Sequence, residues 1–197
     1  MDGIYRRQRL IYDATRKYFL FGRDHLIEHL SPAPGMSVLE VACGTGRNLD
    51  LIGRRYPDAR LYGFDISSEM LISARAKLGE RAELAQGDAT DFAPGEMFSV
   101  GGFDRIVLSY GISMIPDWQA AITEAVRHLS PEGALYIVDF GDQARLPGWF
   151  KSGLRAWLAK FHVSPRDSLD TFLSDQGWKV ERTLLYRGYA VFAVIQR

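Results

Sequence analysis

The stretch "VLEVACGTGRNLDLIG", residues 38–53, runs from an apolar segment carrying one acid into a glycine-bearing turn, and then into a helix-like segment. Gly44 and Gly46 permit backbone angles that other residues avoid and let a ligand approach the main chain. The helix that follows offers N–H groups and the positive end of its dipole. Strand, turn and helix in this order form half of a βαβ unit, so the rest of the chain should repeat the pattern.

It does. "RLYGFDI" (60–66), "AELAQGD" (82–88), "FDRIVLSY" (103–110) and "ALYIVDF" (134–140) read as further strands after "SVLEVAC" (37–43). Between them lie helical stretches at about 47–55, 68–79 and 117–130, the last with Asp117 as N-cap. Residues 4–30 read as helical up to the "SPAPG" stop, and "WKVERTLLYR" with "YAVFAVIQR" reads as a β-hairpin. The expected fold is α/β: a doubly wound, mostly parallel seven-stranded sheet with a C-terminal antiparallel hairpin and an N-terminal helical lid. One domain over 1–197 is expected, with the lid at 1–30 and a basic-aromatic insertion at 142–168.

Composition narrows the function. Lys+Arg and Asp+Glu balance at 24 each, which speaks against a dedicated nucleic-acid binder. Cys43 is the only cysteine, so no disulfide can form within the chain, as suits a reducing compartment. "MDGIYRRQRL" lacks the apolar core of a signal peptide, and no apolar run reaches the ~20 residues of a membrane span. The expectation is a cytoplasmic protein that touches the inner membrane from one side. "HLIEH" (25–29) matches an H-x-x-E-H metal pattern, but only His128 and His162 remain elsewhere and no third-ligand motif stands out, so no metal is expected.

The turn does not suit a nicotinamide dinucleotide: G-x-G-x-x-G needs glycine where Leu49 stands, and the acid, Glu40, precedes the turn. "EVACGTG" resembles the first motif of class I S-adenosylmethionine-dependent methyltransferases, with Ala42 in the first glycine position. That resemblance implies a Rossmann-like fold and S-adenosylmethionine as cofactor. It places the cofactor on Ala42, Cys43, Gly44 and Gly46, with Glu40 supporting its methionine end. Asp65 in "YGFDIS" would accept from the ribose hydroxyls, with Ile66 and Met70 beside it. Asp88 in "QGDA" would accept from the adenine amino group, with the Ala89 N–H at the ring; Ser109 and Tyr110 would flank the methyl donor. Asp65 and Asp88 suit helix caps or turns equally well, and Cys43 suits a small buried core position.

Two segments bear on the substrate. "YRRQRLIYDATRKYFLFGRD" (5–24) interleaves Arg and Lys with aromatics. "LPGWFKSGLRAWLAKFHVSPR" (146–166) repeats Trp, Phe and Leu at helical spacing, with Lys151, Arg155 and Lys160 between. Such a helix either lies in a membrane interface or packs its aromatics on the sheet as a lid. Together with "SYGISMIPDW" and "DFGDQARLPGWF", these stretches resemble the diacylglyceryl-homoserine N-methyltransferases of bacterial betaine-lipid synthesis. The resemblance implies three methylations of the amino group of a lipid head group at a membrane surface. The N-methylated ammonium could rest on Tyr12, Tyr18 or Tyr110 by cation–π attraction, and Arg23 could bind a carboxylate of cofactor or head group. Packing for the tyrosines and a solvated charge for Arg23 stay open. So do a methyltransferase of soluble small molecules and a non-catalytic, cofactor-binding membrane adaptor.

Overall fold

The structure, a computed structural model, describes residues 20–159 and 168–197. Tyr12, Tyr18 and residues 160–166 of the second basic-aromatic segment therefore lie outside the described residues.

Seven strands form one sheet in the order β3-β2-β1-β4-β5-β7-β6. They are β1 (Ser37–Val41), β2 (Arg60–Asp65), β3 (Glu83–Gln86), β4 (Phe103–Ser109), β5 (Leu129–Phe140), β6 (Lys179–Leu185) and β7 (Ala190–Gln196). Only β7 runs antiparallel, against both β5 and β6, as the terminal hairpin required. The strand order reverses between β1 and β4, which places the ligand crevice beyond the carboxyl ends of these two strands.

Period-2 alternation decides which side chains face which layer. Leu39 and Val41 of β1 join Ile106 and Leu108 of β4 in one apolar cluster, whereas Val38 and Val107 belong to the other. The second layer is built by α1 (Arg23–Leu30) and α2 (Arg47–Arg55), which add Leu26, Ile27, Leu30, Leu49 and Ile52. Glu40 shares the Val38 face, so α1 and α2 cover it. The other helices are α3 (Ser68–Leu78), α4 (Pro94–Phe98), α5 (Trp118–Arg127), α6 (Gly148–Ala159) and α7 (Leu169–Asp175). Asp117 caps α5 as expected, accepting from the Ala120 N–H at 3.3 Å.

Four expectations need correction. The helix read over 4–30 does not run through residues 20–22: α1 begins only after Gly22, whose φ of 91° stops a helix from running through it, and residues 4–19 lie outside the described residues. The third strand ends at Gln86, so Asp88 lies two residues past it, in a tight turn. The fifth strand starts at Leu129, five residues earlier than "ALYIVDF" indicates. "SPEG" is carried as an irregularity in the pairing with β4, whose register jumps between Phe103 and Arg105. The short helices α4 and α7 were not expected; at 5 and 7 residues they are too short for a clear period.

Candidate active site

The glycine turn links β1 to α2, and its backbone is unusual throughout. Ala42, Gly44 and Gly46 have φ of 54°, 55° and 71°. Gly46 is the N-cap of α2, and a Cβ there would press on Leu78 at 2.7 Å, so the turn packs tightly against α3. A Cβ on Gly44 would meet nothing within 4 Å. The turn is thus closed behind Gly46 and open in front of Gly44.

Into that opening faces a cavity of about 40 Å³, lined by Arg23, Glu40, Ala42, Cys43, Gly44, Met70 and Ser109 among the expected residues. Leu20, Thr45, Arg47 and Asn48 complete its wall. Glu40 is 2% exposed. Its Oε1 accepts from Asn48 Nδ2 at 2.7 Å, whereas its Oε2 is buried with no hydrogen-bond partner. Burial pushes the Glu40 carboxyl up to about 8; the Asn48 hydrogen bond and the Arg23 charge only partly oppose this. Arg23 is itself buried, its Nε donating to the Leu20 carbonyl at 3.3 Å. The open reading of Arg23 as a solvated charge is thereby set aside. Ser109 Oγ is a second buried polar atom without a partner on this wall. Burial also raises the Cys43 thiol, with Glu40 and Asp65 adding to the effect, so Cys43 stays a neutral wall residue.

Asp65 closes the far side of the turn. One carboxylate oxygen accepts from the Gly44 N–H at 2.8 Å and the other from the Ser67 N–H at 2.9 Å. It therefore fixes the turn and the start of α3 together. Ile66 beside it is 67% exposed, an apolar surface next to an acceptor. Asp88 is exposed, and its Oδ1 takes both the Thr90 N–H (2.9 Å) and the Thr90 hydroxyl (2.7 Å), which hold its carboxyl below the usual range. Its structural part is thus that of a turn former, with buried Ala89 beside it.

Tyr110 has φ of 55° and is buried. Its hydroxyl donates to the Phe21 carbonyl, and its ring packs on Phe140 at 4.9 Å. It ties residues 20–22 down across the carboxyl edge of the sheet and does not line the cavity. His25 and His29 stack at 4.0 Å over Phe192, and no three His, Cys, Asp or Glu side chains converge on a common point among the described residues.

Sequence reading passed over Asn48, which stands inside the quoted stretch, and the buried polar residues Ser113, Asp139 and Gln143. Asp139, at the end of β5, accepts from the Ser113 N–H at 3.1 Å and the Phe140 N–H at 2.7 Å. The available signal was an acid and an amide in "VDFGDQ", directly after an apolar strand.

The sheet order, the glycine turn and the acids at its flanks define the Rossmann-like fold of S-adenosylmethionine-dependent methyltransferases, and residues 38–133 match the family described as "Methyltransferase domain". Two relatives narrow the comparison. A demethylmenaquinone methyltransferase of Lactococcus lactis is 32% identical over 59% of this chain and 47% of its own length. A ubiquinone/menaquinone biosynthesis C-methyltransferase of Cereibacter sphaeroides is 31% identical over 71% of this chain and 58% of its own. The chain spans about half the length of the curated relatives it matches. The solved complex of DhpI with SAH superposes with a TM-score of 0.72 at 21% identity, covering 98% of this chain and 93% of that one, which shows the shared fold.

The residues present fit S-adenosylmethionine. Glu40 offers an unpartnered buried oxygen for an ammonium, Gly44 leaves room for a ligand against the turn, and Ile66 offers apolar surface beside Asp65.

Proposed function

We propose that this protein is an S-adenosylmethionine-dependent N-methyltransferase. Its acceptor would be the amino group of a membrane lipid head group, diacylglyceryl-homoserine, carried to its trimethylated betaine. The observation that carries the reading is a set of exposed large apolar side chains, two of which, Phe21 and Tyr186, pack together on the carboxyl edge of the sheet. Trp149 in the first turn of α6 is 80% exposed, Tyr186 in the β6–β7 turn 56% and Phe21 47%. Phe21 and Tyr186 pack together at 5.5 Å. Large aromatic side chains left exposed suit contact with a lipid surface. In the described part of α6, Leu154 and Leu158 are buried and Trp157 packs on the core, so this helix both docks on the sheet and presents Trp149 outward. No helix among the described residues is long and apolar enough to cross a membrane, which suits contact from one side.

When bound, S-adenosylmethionine supplies an electrophilic methyl on a sulfonium. The protein's residues hold and orient the reactants. The acceptor must arrive as a neutral amine, because an ammonium has no lone pair. Such a transfer would develop no oxyanion, so positioning of the reactants by the chain's own residues would carry most of the rate, up to about 7–11 kcal/mol. Asp65 keeps the glycine turn in its open form; Glu40 and Arg23 would set the charge at the methionine end, and Ser109, on the wall of the same cavity at the end of β4, would stand beside the donor.

The names of the matched relatives favour a carbon acceptor in a quinone, the second reading. A turnover assay with methyl-labelled cofactor separates the two. Vesicles containing diacylglyceryl-homoserine, free homoserine and a demethylated quinol are offered in parallel. Label on the lipid nitrogen supports the proposal; label on the quinol ring or on free homoserine alone overturns it.

A further inference from the structure

Asn48 stands in the first turn of α2, on the wall of the cavity, and is buried. Its Nδ2 donates to Glu40 Oε1 at 2.7 Å, whereas its Oδ1 is buried without a hydrogen-bond partner. Once Glu40 is ionised, only the NH₂ end of the amide can face it, because a carboxylate offers acceptors alone. The carbonyl end is then left over. An asparagine kept only to hold Glu40 would have that end satisfied as well, since a buried acceptor without a donor costs free energy. The wall of the same cavity holds two more oxygens in this condition, Glu40 Oε2 and Ser109 Oγ.

The charges around the site bear on what these oxygens can take. Glu40 already feels the positive charge of Arg23, which lies on the same wall. A ligand with an amino-acid end brings a second cation, its ammonium, to the same carboxylate. An ammonium has three N–H donors and no acceptor, and each donor needs an oxygen once water is excluded. Glu40 Oε2 supplies one. Asn48 Oδ1 supplies another, and as a neutral group it does so without the desolvation cost of a further buried charge.

We propose that Asn48 is a specificity-determining residue for the cofactor, its Oδ1 accepting from the ammonium of S-adenosylmethionine together with Glu40 Oε2. The two ends of the amide then have separate parts. Nδ2 holds the Glu40 carboxylate in place, and Oδ1 distinguishes a ligand that carries an ammonium from one that lacks it. A ligand without that group leaves both oxygens buried and unpaired, a larger penalty than the loss of an attraction alone. The inference concerns the cofactor only, so it stands or falls separately from the lipid head-group reading.

The test is calorimetric binding of three probes to the full chain: S-adenosylhomocysteine, its deamino analogue, and 5′-methylthioadenosine, which lacks the whole amino-acid portion. The wild type should bind S-adenosylhomocysteine roughly a hundredfold more tightly than the deamino analogue. Asn48→Leu and Asn48→Ala should each cut that preference about tenfold and leave the Kd of 5′-methylthioadenosine unchanged, which reports an intact fold. A role confined to holding Glu40 is separated in the Glu40→Gln background, where there is no carboxylate charge to place. There Asn48→Ala should still cut the remaining preference, by about threefold. Equal binding of S-adenosylhomocysteine and its deamino analogue by the wild type overturns the proposal. So does a preference kept in both single variants, or no further loss in the Glu40→Gln background. A loss of 5′-methylthioadenosine binding as large as that of S-adenosylhomocysteine would assign Asn48 to the fold alone and overturn it equally.

Discussion

Replacing Glu40 by Gln tests the electrostatics of the site through stability alone. In the folded protein the Glu40 carboxyl is raised from 4.5 to about 8, chiefly by burial. Between these values the folded state holds a proton that the unfolded state has released. Stability therefore falls as pH rises, by up to about 1.4 kcal/mol per pH unit, and the slope vanishes above about pH 8. Over the whole interval the cost approaches roughly 5 kcal/mol. Glutamine keeps the acceptor for Asn48 Nδ2 and cannot ionise, so Glu40→Gln removes this slope and leaves the contributions of other groups in place. Urea unfolding of both proteins at pH 5, 6.5 and 8.5 reads the difference. The two should be nearly equal at pH 5, and the variant should be more stable by several kcal/mol at pH 8.5. The same substitution should weaken S-adenosylmethionine, because a neutral amide cannot pair with its ammonium. Cofactor binding to the wild type near pH 7 should release a proton, measurable by calorimetry in buffers of different ionisation enthalpy. Parallel stability curves for the two proteins between pH 5 and 8.5 would refute the reasoning.

Three further substitutions probe other parts of the account. Asp65→Ala releases the Gly44 and Ser67 N–H groups together, and should raise the cofactor Kd roughly ten- to hundredfold by calorimetry, at about 1.5–3 kcal/mol for hydrogen bonds to a charged group; an unchanged Kd removes the assignment. Ala42→Gly relaxes a non-glycine residue at φ 54° and should raise stability by up to about 1 kcal/mol, with the cofactor Kd unchanged; lower stability in urea would show that the turn tolerates alanine without strain. Trp149→Ala removes an 80% exposed ring, so Tm should stay constant while partition onto anionic vesicles falls several-fold in co-sedimentation; unchanged partition would remove Trp149 from the membrane contact.

The sequence was most legible where local chemistry and fold agree. The turn at 42–46 needs residues that accept positive φ, and two of them are glycines, so the strand–turn–helix reading and the start of α2 were visible directly. Asp117 was visible as a cap because a side-chain acceptor before an amphipathic run has few other uses. Asp88 shows the limit: an aspartate after an apolar strand reads alike whether it faces a ligand or its own turn, and here it is bonded to Thr90. Long-range burial was not legible at all. Nothing in "DFGDQ" tells that Gln143 is sealed from water while Asp142 is not, because the cover comes from elements distant in the chain. The start of β5 was hidden for a related reason: "SPEG" is a turn sequence locally, and only pairing beside β4 holds it within a strand. Tyr110 looked like a site aromatic from its position, but its partner is the Phe21 carbonyl, 89 residues earlier in the chain.

The most direct measurement is the intact mass of the lipid after purified protein, methyl-deuterated S-adenosylmethionine and vesicles containing diacylglyceryl-homoserine are incubated together. The account predicts one, then two, then three labelled methyls on the head-group nitrogen. An unlabelled lipid, from protein shown by calorimetry to bind the cofactor, would contradict it.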